Sequence, residues 1–117
     1  MGTEVITDKD RLLRRIIIDP SYIKPDNKIT SLAFKPRKTD YDGLSVDLER
    51  LTTYQAAIKD KTKFRLARLE ASIPLSLGLE CIHKPLLDNR AHSLIRGNFT
   101  NSICRKLANF AQVIYSV

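Results

Sequence analysis

His92 is one of two histidines in this 117-residue chain, and an acidic and a basic residue precede it at positions 88 and 90. A histidine near a carboxylate and an arginine can transfer protons and stabilise charge on a phosphate ester. Arg14, Arg15 and Asp47 lie on segments that could neighbour it in a small sheet. The spacing therefore makes His92, with Arg14 or Arg15 and Asp47, the candidate catalytic set of a small phosphodiester-cleaving enzyme, such as a toxin-like ribonuclease.

The same residues also have purely structural interpretations. A histidine at a strand end commonly makes one backbone hydrogen bond, and paired arginines on a strand commonly form salt-bridge rungs. A second acid or base to work with His92 is not evident. His83 is interpreted as a half-exposed strand cap. Catalysis is therefore the alternative hypothesis, and the leading one is binding.

Charge supports the binding hypothesis. The net charge is +7, and residues 59–117 carry 10 basic against 4 acidic residues, whereas residues 1–58 carry 10 against 9. A cationic half attracts phosphates and other anions at long range. We expect a small basic module that binds an acidic partner, either nucleic acid or protein. The expected binding residues are Arg65, Arg68, Arg90, Arg96, Arg105 and Lys106.

Several classes of site have no motif here. Gly43, Gly78 and Gly97 are far apart, so no glycine-rich phosphate loop is predicted. Cys81 and Cys104 are too widely spaced for a typical zinc site, and no Gly-x-Ser-x-Gly elbow occurs. We expect neither a metal nor a cofactor, and we expect both cysteines to be reduced core residues.

The overall composition is that of one domain with a real core. Apolar residues make up 43% of the chain, and no apolar run is long enough to cross a bilayer. The N-terminal residues do not resemble a secretory signal, so we expect a cytoplasmic protein that has no membrane partner. A third hypothesis is a homo-oligomeric interaction module without catalysis, assembled through a sheet edge or the C-terminal helix.

The first half is predicted to contain three strands. Residues 1–10 are expected to form a flexible lead, and residues 11–117 the single domain. The isoleucine run at 16–18 predicts a strand over 11–18 that Pro20 ends, and alternation predicts strands at 29–34 and 44–48. In the last of these, Ser45 and Asp47 face outward. We expect the second and third strands to form a hairpin.

The second half is predicted to alternate short helices with strands. Thr53 is placed to cap a helix over 54–59, and residues 64–71 favour a strand. A short helix at 72–78 and strands at 79–83 and 92–95 follow. Apolar spacing then predicts a helix that Thr100 or Asn101 caps and that continues to Tyr115.

These elements predict an α+β fold. We expect a small, mostly antiparallel or mixed sheet of five or six short strands, with one substantial C-terminal helix and two short helices. The first three strands follow one another without a crossover helix, which favours antiparallel pairing.

Overall fold

The computed structural model describes residues 2–37 and 42–115, and in them six antiparallel strands form one sheet. The strands are β1 Arg11–Ile17, β2 Leu44–Leu48, β3 Phe64–Glu70, β4 Glu80–His83, β5 His92–Arg96 and β6 Gln112–Ile114. The helices are α1 Tyr54–Ile58, α2 Ser72–Ser76 and α3 Asn101–Phe110, and two 3-10 turns span Ser31–Phe34 and Glu49–Leu51. The strand order is β4-β5-β2-β1-β3-β6. The α+β prediction is therefore confirmed, with six strands in the described residues.

Local sequence signals account for the elements that were predicted correctly. Thr53 caps α1 by accepting the Ala56 N–H, and Thr100 caps α3 by accepting the Ile103 N–H at 3.2 Å. Strand β3 has the predicted bounds to within one residue. None of the helices in residues 2–37 and 42–115 is long and apolar enough to cross a membrane.

Three predicted features of the secondary structure were wrong. Residues 29–34 do not form a strand, because Ser31–Phe34 is a 3-10 turn that buries Phe34 against α3. Strand β2 consequently has no hairpin partner there and pairs with β1 and β5 instead. Helix α3 ends at Phe110, and Ile114 lies in β6, which pairs with β3.

The sheet has two unequal faces. On the first face, Leu12, Leu48 and Ile95 pack with Phe34 and Leu107 in the larger apolar core. On the second face, α1 covers Leu13 and Leu66 and leaves the neighbouring part of β1, β2 and β5 open to a cleft. Alternation along the strands assigns each residue to a face, since successive side chains point to opposite sides. The open area of the second face is where polar side chains can meet a ligand.

The described part of the predicted N-terminal lead contacts the domain. Arg50, in the second 3-10 turn, donates to the Glu4 carboxylate, to the Val5 carbonyl and to Asp10. Ile6 is buried in the larger core, and the Glu4 N–H donates to Nδ1 of His83 at 2.8 Å. Residues 4–10 are thereby attached beside β4 and the second turn.

Candidate active site

A polar cleft of about 570 Å³ opens on the second face of the sheet. Residues from β1, β2, β5, the end of α1 and the loop between β4 and β5 line it. The charged and polar lining residues are Arg14, Arg15, Arg37, Ser45, Asp47, Lys59, Asp88, Asn89 and His92. Four of them are cationic and two are acidic, so the described lining residues favour an anionic ligand.

The cleft adjoins a fork in the sheet. Strands β1 and β2 pair at Leu12 and at Leu13, which lies opposite Asp47, whereas β1 runs on to Ile17. The Arg14 side chain bridges the fork: its Nη1 donates to the Ser45 carbonyl at 2.8 Å and its Nε to the Ala33 carbonyl at 3.1 Å. Arg14 therefore fixes the backbone of Ser45 relative to β1.

His92 has both ring nitrogens engaged. Nδ1 lies 2.8 Å from the Lys84 carbonyl, and Nε2 lies 3.3 Å from Oγ of Ser45. A carbonyl can only accept a hydrogen bond, so Nδ1 carries a proton. In the neutral ring Nε2 is then the acceptor, and the exposed Ser45 hydroxyl donates to it. This arrangement joins a hydroxyl, a base and an acceptor that orients the base.

Asp47 organises the wall of the cleft next to His92. Asp47 lies on the predicted outward side of β2, but it is only 6% exposed, and its Oδ1 accepts a hydrogen bond from Nδ2 of Asn89 at 2.8 Å. Arg15 approaches Oδ2 to 4.0 Å, donates to the Ala57 carbonyl at 2.8 Å and stacks 5.7 Å from the centre of the Phe64 ring. Asp47 thus links the loop before β5 to β1.

The structure brings the candidate catalytic set together. His92 and Asp47 are directly opposed on β5 and β2, and both arginines line the same cleft. Sequence reasoning did not select Ser45 or Asn89 as site residues. For Ser45 a signal was present, because strict alternation over β2 places it on the same face as Asp47. Asn89 had no comparable signal, since its position depends on the fold of a loop.

The six residues expected to bind an acidic partner are not brought together. Arg105 and Lys106 are exposed on α3, which packs on the first face. Arg65 and Arg68 lie on opposite faces of β3, and Arg68 donates to the Tyr54 hydroxyl at 3.3 Å. The remaining two are in β5 and in the loop before it: Arg96 donates to the Asp42 carbonyl at 2.8 Å, and Arg90 is exposed.

The second histidine and the cysteines lie outside the cleft lining. The prediction that His83 is half-exposed was wrong: it is buried and uses both ring nitrogens in contacts with the main chain, at Glu4 and at Arg90. Cys81 and Cys104 are free thiols, and burial raises the pKa of Cys81 to about 11. Residues 2–37 and 42–115 contain no cluster of three or more histidine, cysteine, aspartate or glutamate side chains that could hold a metal ion.

A smaller pocket of about 240 Å³ adjoins the cleft. The two share Arg14, Arg15, Ile17 and Arg37 as lining residues. The other residues that line the smaller pocket are mainly apolar. They are Ile16, Tyr22, Leu32, Ala33 and Pro36, together with Lys35.

Comparisons of the chain with known protein families, with curated proteins and with solved structures find no match.

Proposed function

We propose that the protein is an enzyme that acts on phosphodiesters of nucleic acid, with the cleft as its active site and His92 as its proton-transfer group. The observation that carries this proposal is the meeting of His92 with Ser45, Arg15 and Asp47 in one cationic cleft. These residues come from three strands, and none of the three strands could build the site alone.

The charge of the cleft supports a phosphate-bearing substrate. Four cationic residues and two carboxylates line it, and the whole chain carries a net charge of +7. The long-range field therefore attracts polyanions, and the local charges place an anion within the cleft. Arg15 is held by the Ala57 carbonyl and the Phe64 ring, so it can contact a phosphate without first being ordered.

The two adjoining pockets support a substrate longer than one phosphate group. The cationic residues of the cleft favour a phosphate, while Tyr22, Leu32 and Pro36 in the adjoining pocket offer apolar contacts. A nucleobase or sugar next to the phosphate has this combination of properties, since aromatic side chains are common partners for bases.

Cleavage of short, end-labelled single-stranded RNA and DNA by the purified protein tests the proposal. We expect cleavage that His92→Ala abolishes, while the thermal unfolding of the variant shows that it is folded. Lys59→Gln and Lys106→Gln form a matched pair: the first removes a cleft charge and weakens binding, and the second removes an exposed charge on α3 and leaves cleavage unchanged.

Two results would overturn the proposal. One is the absence of cleavage of either nucleic acid; salt-dependent binding without cleavage, with a loss of roughly a decade or more in affinity toward physiological salt, would return the protein to the class of binding modules. The other is cleavage that His92→Ala leaves at the wild-type rate, because the activity would then belong to another site or to a contaminant.

A further inference from the structure

We propose that Ser45 is the nucleophile of this site and that the reaction passes through a covalent phosphoseryl intermediate. The inference rests on the proposed function, because it assigns the attacking group for the same phosphodiester substrate. Oγ of Ser45 is exposed to the cleft and lies 3.3 Å from Nε2 of His92. A hydroxyl that donates to a fixed imidazole is the pairing by which serine is activated in many enzymes.

The surrounding contacts hold this pair in place from both sides. The Lys84 carbonyl accepts the Nδ1 proton of His92 at 2.8 Å, which leaves Nε2 directed at Ser45. On the other side, Arg14 donates to the Ser45 carbonyl at 2.8 Å. The serine and the imidazole are therefore both positioned by main-chain hydrogen bonds before a substrate binds.

A serine nucleophile also explains how one histidine can suffice. Cleavage through the ribose 2′-hydroxyl needs a base for that hydroxyl and a separate acid for the leaving oxygen. With Ser45 as nucleophile, His92 performs the two tasks in succession, and no second histidine is needed. The described lining of the cleft contains His92 and no other histidine.

The proposed reaction phosphorylates Ser45 and then hydrolyses the intermediate, and atoms and charges balance in both steps. Ser45 transfers its hydroxyl proton to Nε2 of His92 while its Oγ bonds to phosphorus. The bond from phosphorus to the leaving ester oxygen breaks, and the imidazolium gives its proton to that oxygen. Water then attacks the phosphoseryl diester, His92 takes one water proton, and the bond to Oγ breaks. Ser45 regains its proton from His92, and the second product is a phosphate monoester.

The first test analyses the ends of the cleavage products and the phosphorylation of the enzyme. We expect both RNA and DNA to be cleaved and the products to carry monophosphate ends. In rapidly quenched reactions, peptide mass spectrometry should detect a phosphoryl group attached to Ser45. RNA products that end in a 2′,3′-cyclic phosphate, with DNA left intact, would overturn the assignment of Ser45 while leaving the proposed function standing.

The second test does not depend on finding the right substrate. A fluorophosphonate probe, which phosphonylates activated serines, is incubated with the wild-type protein, Ser45→Ala, His92→Ala and the control Ser102→Ala, whose serine is exposed on α3. We expect labelling of Ser45 in the wild type and in Ser102→Ala, and its loss in His92→Ala. A wild-type protein that is unlabelled at Ser45 would overturn the inference.

Kinetics separates a nucleophile from a neighbouring hydrogen-bond donor. Loss of a true nucleophile is expected to lower kcat on the order of a thousandfold or more, with little change in KM. If Ser45→Ala retains cleavage within about tenfold of the wild type, Ser45 is not the nucleophile. The proposal that His92 acts in phosphodiester cleavage would still stand. Absence of cleavage in the wild type itself would instead count against the proposed function.

Discussion

Asp47 and His92 are directly opposed on β2 and β5, yet their side chains bind two different residues of the loop between β4 and β5. The Asp47 carboxylate accepts from Asn89 at 2.8 Å, and His92 donates to the Lys84 carbonyl at the same distance. The acidic residue therefore shapes the loop that leads into β5, and a main-chain carbonyl orients the histidine. Asp47 and His92 therefore have different roles in the site.

Replacing Asp47 with alanine is expected to destabilise the protein. The change leaves the part-buried Asn89 amide without its acceptor and removes the nearby counterion of Arg15. We expect the free energy of unfolding to fall by about 1–3 kcal/mol in urea denaturation. Asp88→Ala is the matched control, because Asp88 is exposed, and it should change stability by less than about 0.5 kcal/mol. Equal losses in the two variants would contradict this role of Asp47.

Gly43, just before β2, is expected to tolerate alanine poorly. Its φ is +131°, and a Cβ there would lie 2.6 Å from the backbone oxygen of Ile95. Gly78 is the control, since its φ is +83° but a Cβ would meet no atom within 4 Å. We expect Gly43→Ala to cost at least about 2 kcal/mol of unfolding free energy and Gly78→Ala about 1 kcal/mol. The reverse ranking would show that β2 and β5 do not approach this closely.

The attachment of the N-terminal residues is expected to weaken in acid. The hydrogen bond and charge of Arg50 hold the pKa of Glu4 below its ordinary value of 4.5. Because this pKa is lowered in the folded protein, the contact is fully present above pH 4.5. It is lost as the pH falls through the pKa of Glu4 in the folded protein. An NMR titration of the Glu4 carboxyl should show this low pKa in the wild type and in Lys9→Gln. In Arg50→Gln it should return toward 4.5, and a titration that Arg50→Gln leaves unchanged would refute the contact.

Cys81 is expected to react slowly with alkylating reagents while the protein is folded. Burial raises the pKa of its thiol to about 11, so little of the reactive thiolate is present near neutral pH. Using Cys104→Ala to isolate this thiol, we expect slow modification by iodoacetamide in buffer and fast modification in urea. Rapid modification in buffer would show that β4, at the edge of the sheet, opens readily.

Much of the fold could be predicted from local patterns in the sequence. The apolar run in β1, the alternation in β2 and the caps at Thr53 and Thr100 each act over a few residues, so they are visible without tertiary structure. Residues 29–34 misled the prediction because their apolar residues were interpreted as strand alternation, although Leu32, Ala33 and Phe34 are consecutive. The chain nevertheless turns there, and Phe34 is completely buried beside α3.

The candidate site was predictable only in part. His92, Asp47 and the two arginines were selected by residue type, and their meeting depends on the order of strands, which local patterns do not encode. The end of α3 was missed for the same reason: Ile114 fits the helical spacing, but pairing with β3 places it in a strand. The excess of basic residues in the second half of the sequence was interpreted as one binding surface. Strand alternation and helix geometry instead distribute these residues over several faces.

The late position of β5 in the chain determines when the cleft can form during synthesis. β1 is flanked by β2 and β3, and β2 needs β5 on its other side before His92 can stand beside Ser45. While β5 is still inside the ribosome, a nascent chain therefore lacks the Ser45–His92 pair, although Arg14 and Arg15 have already emerged. Any activity of the cleft would therefore be withheld until β5 has left the ribosome.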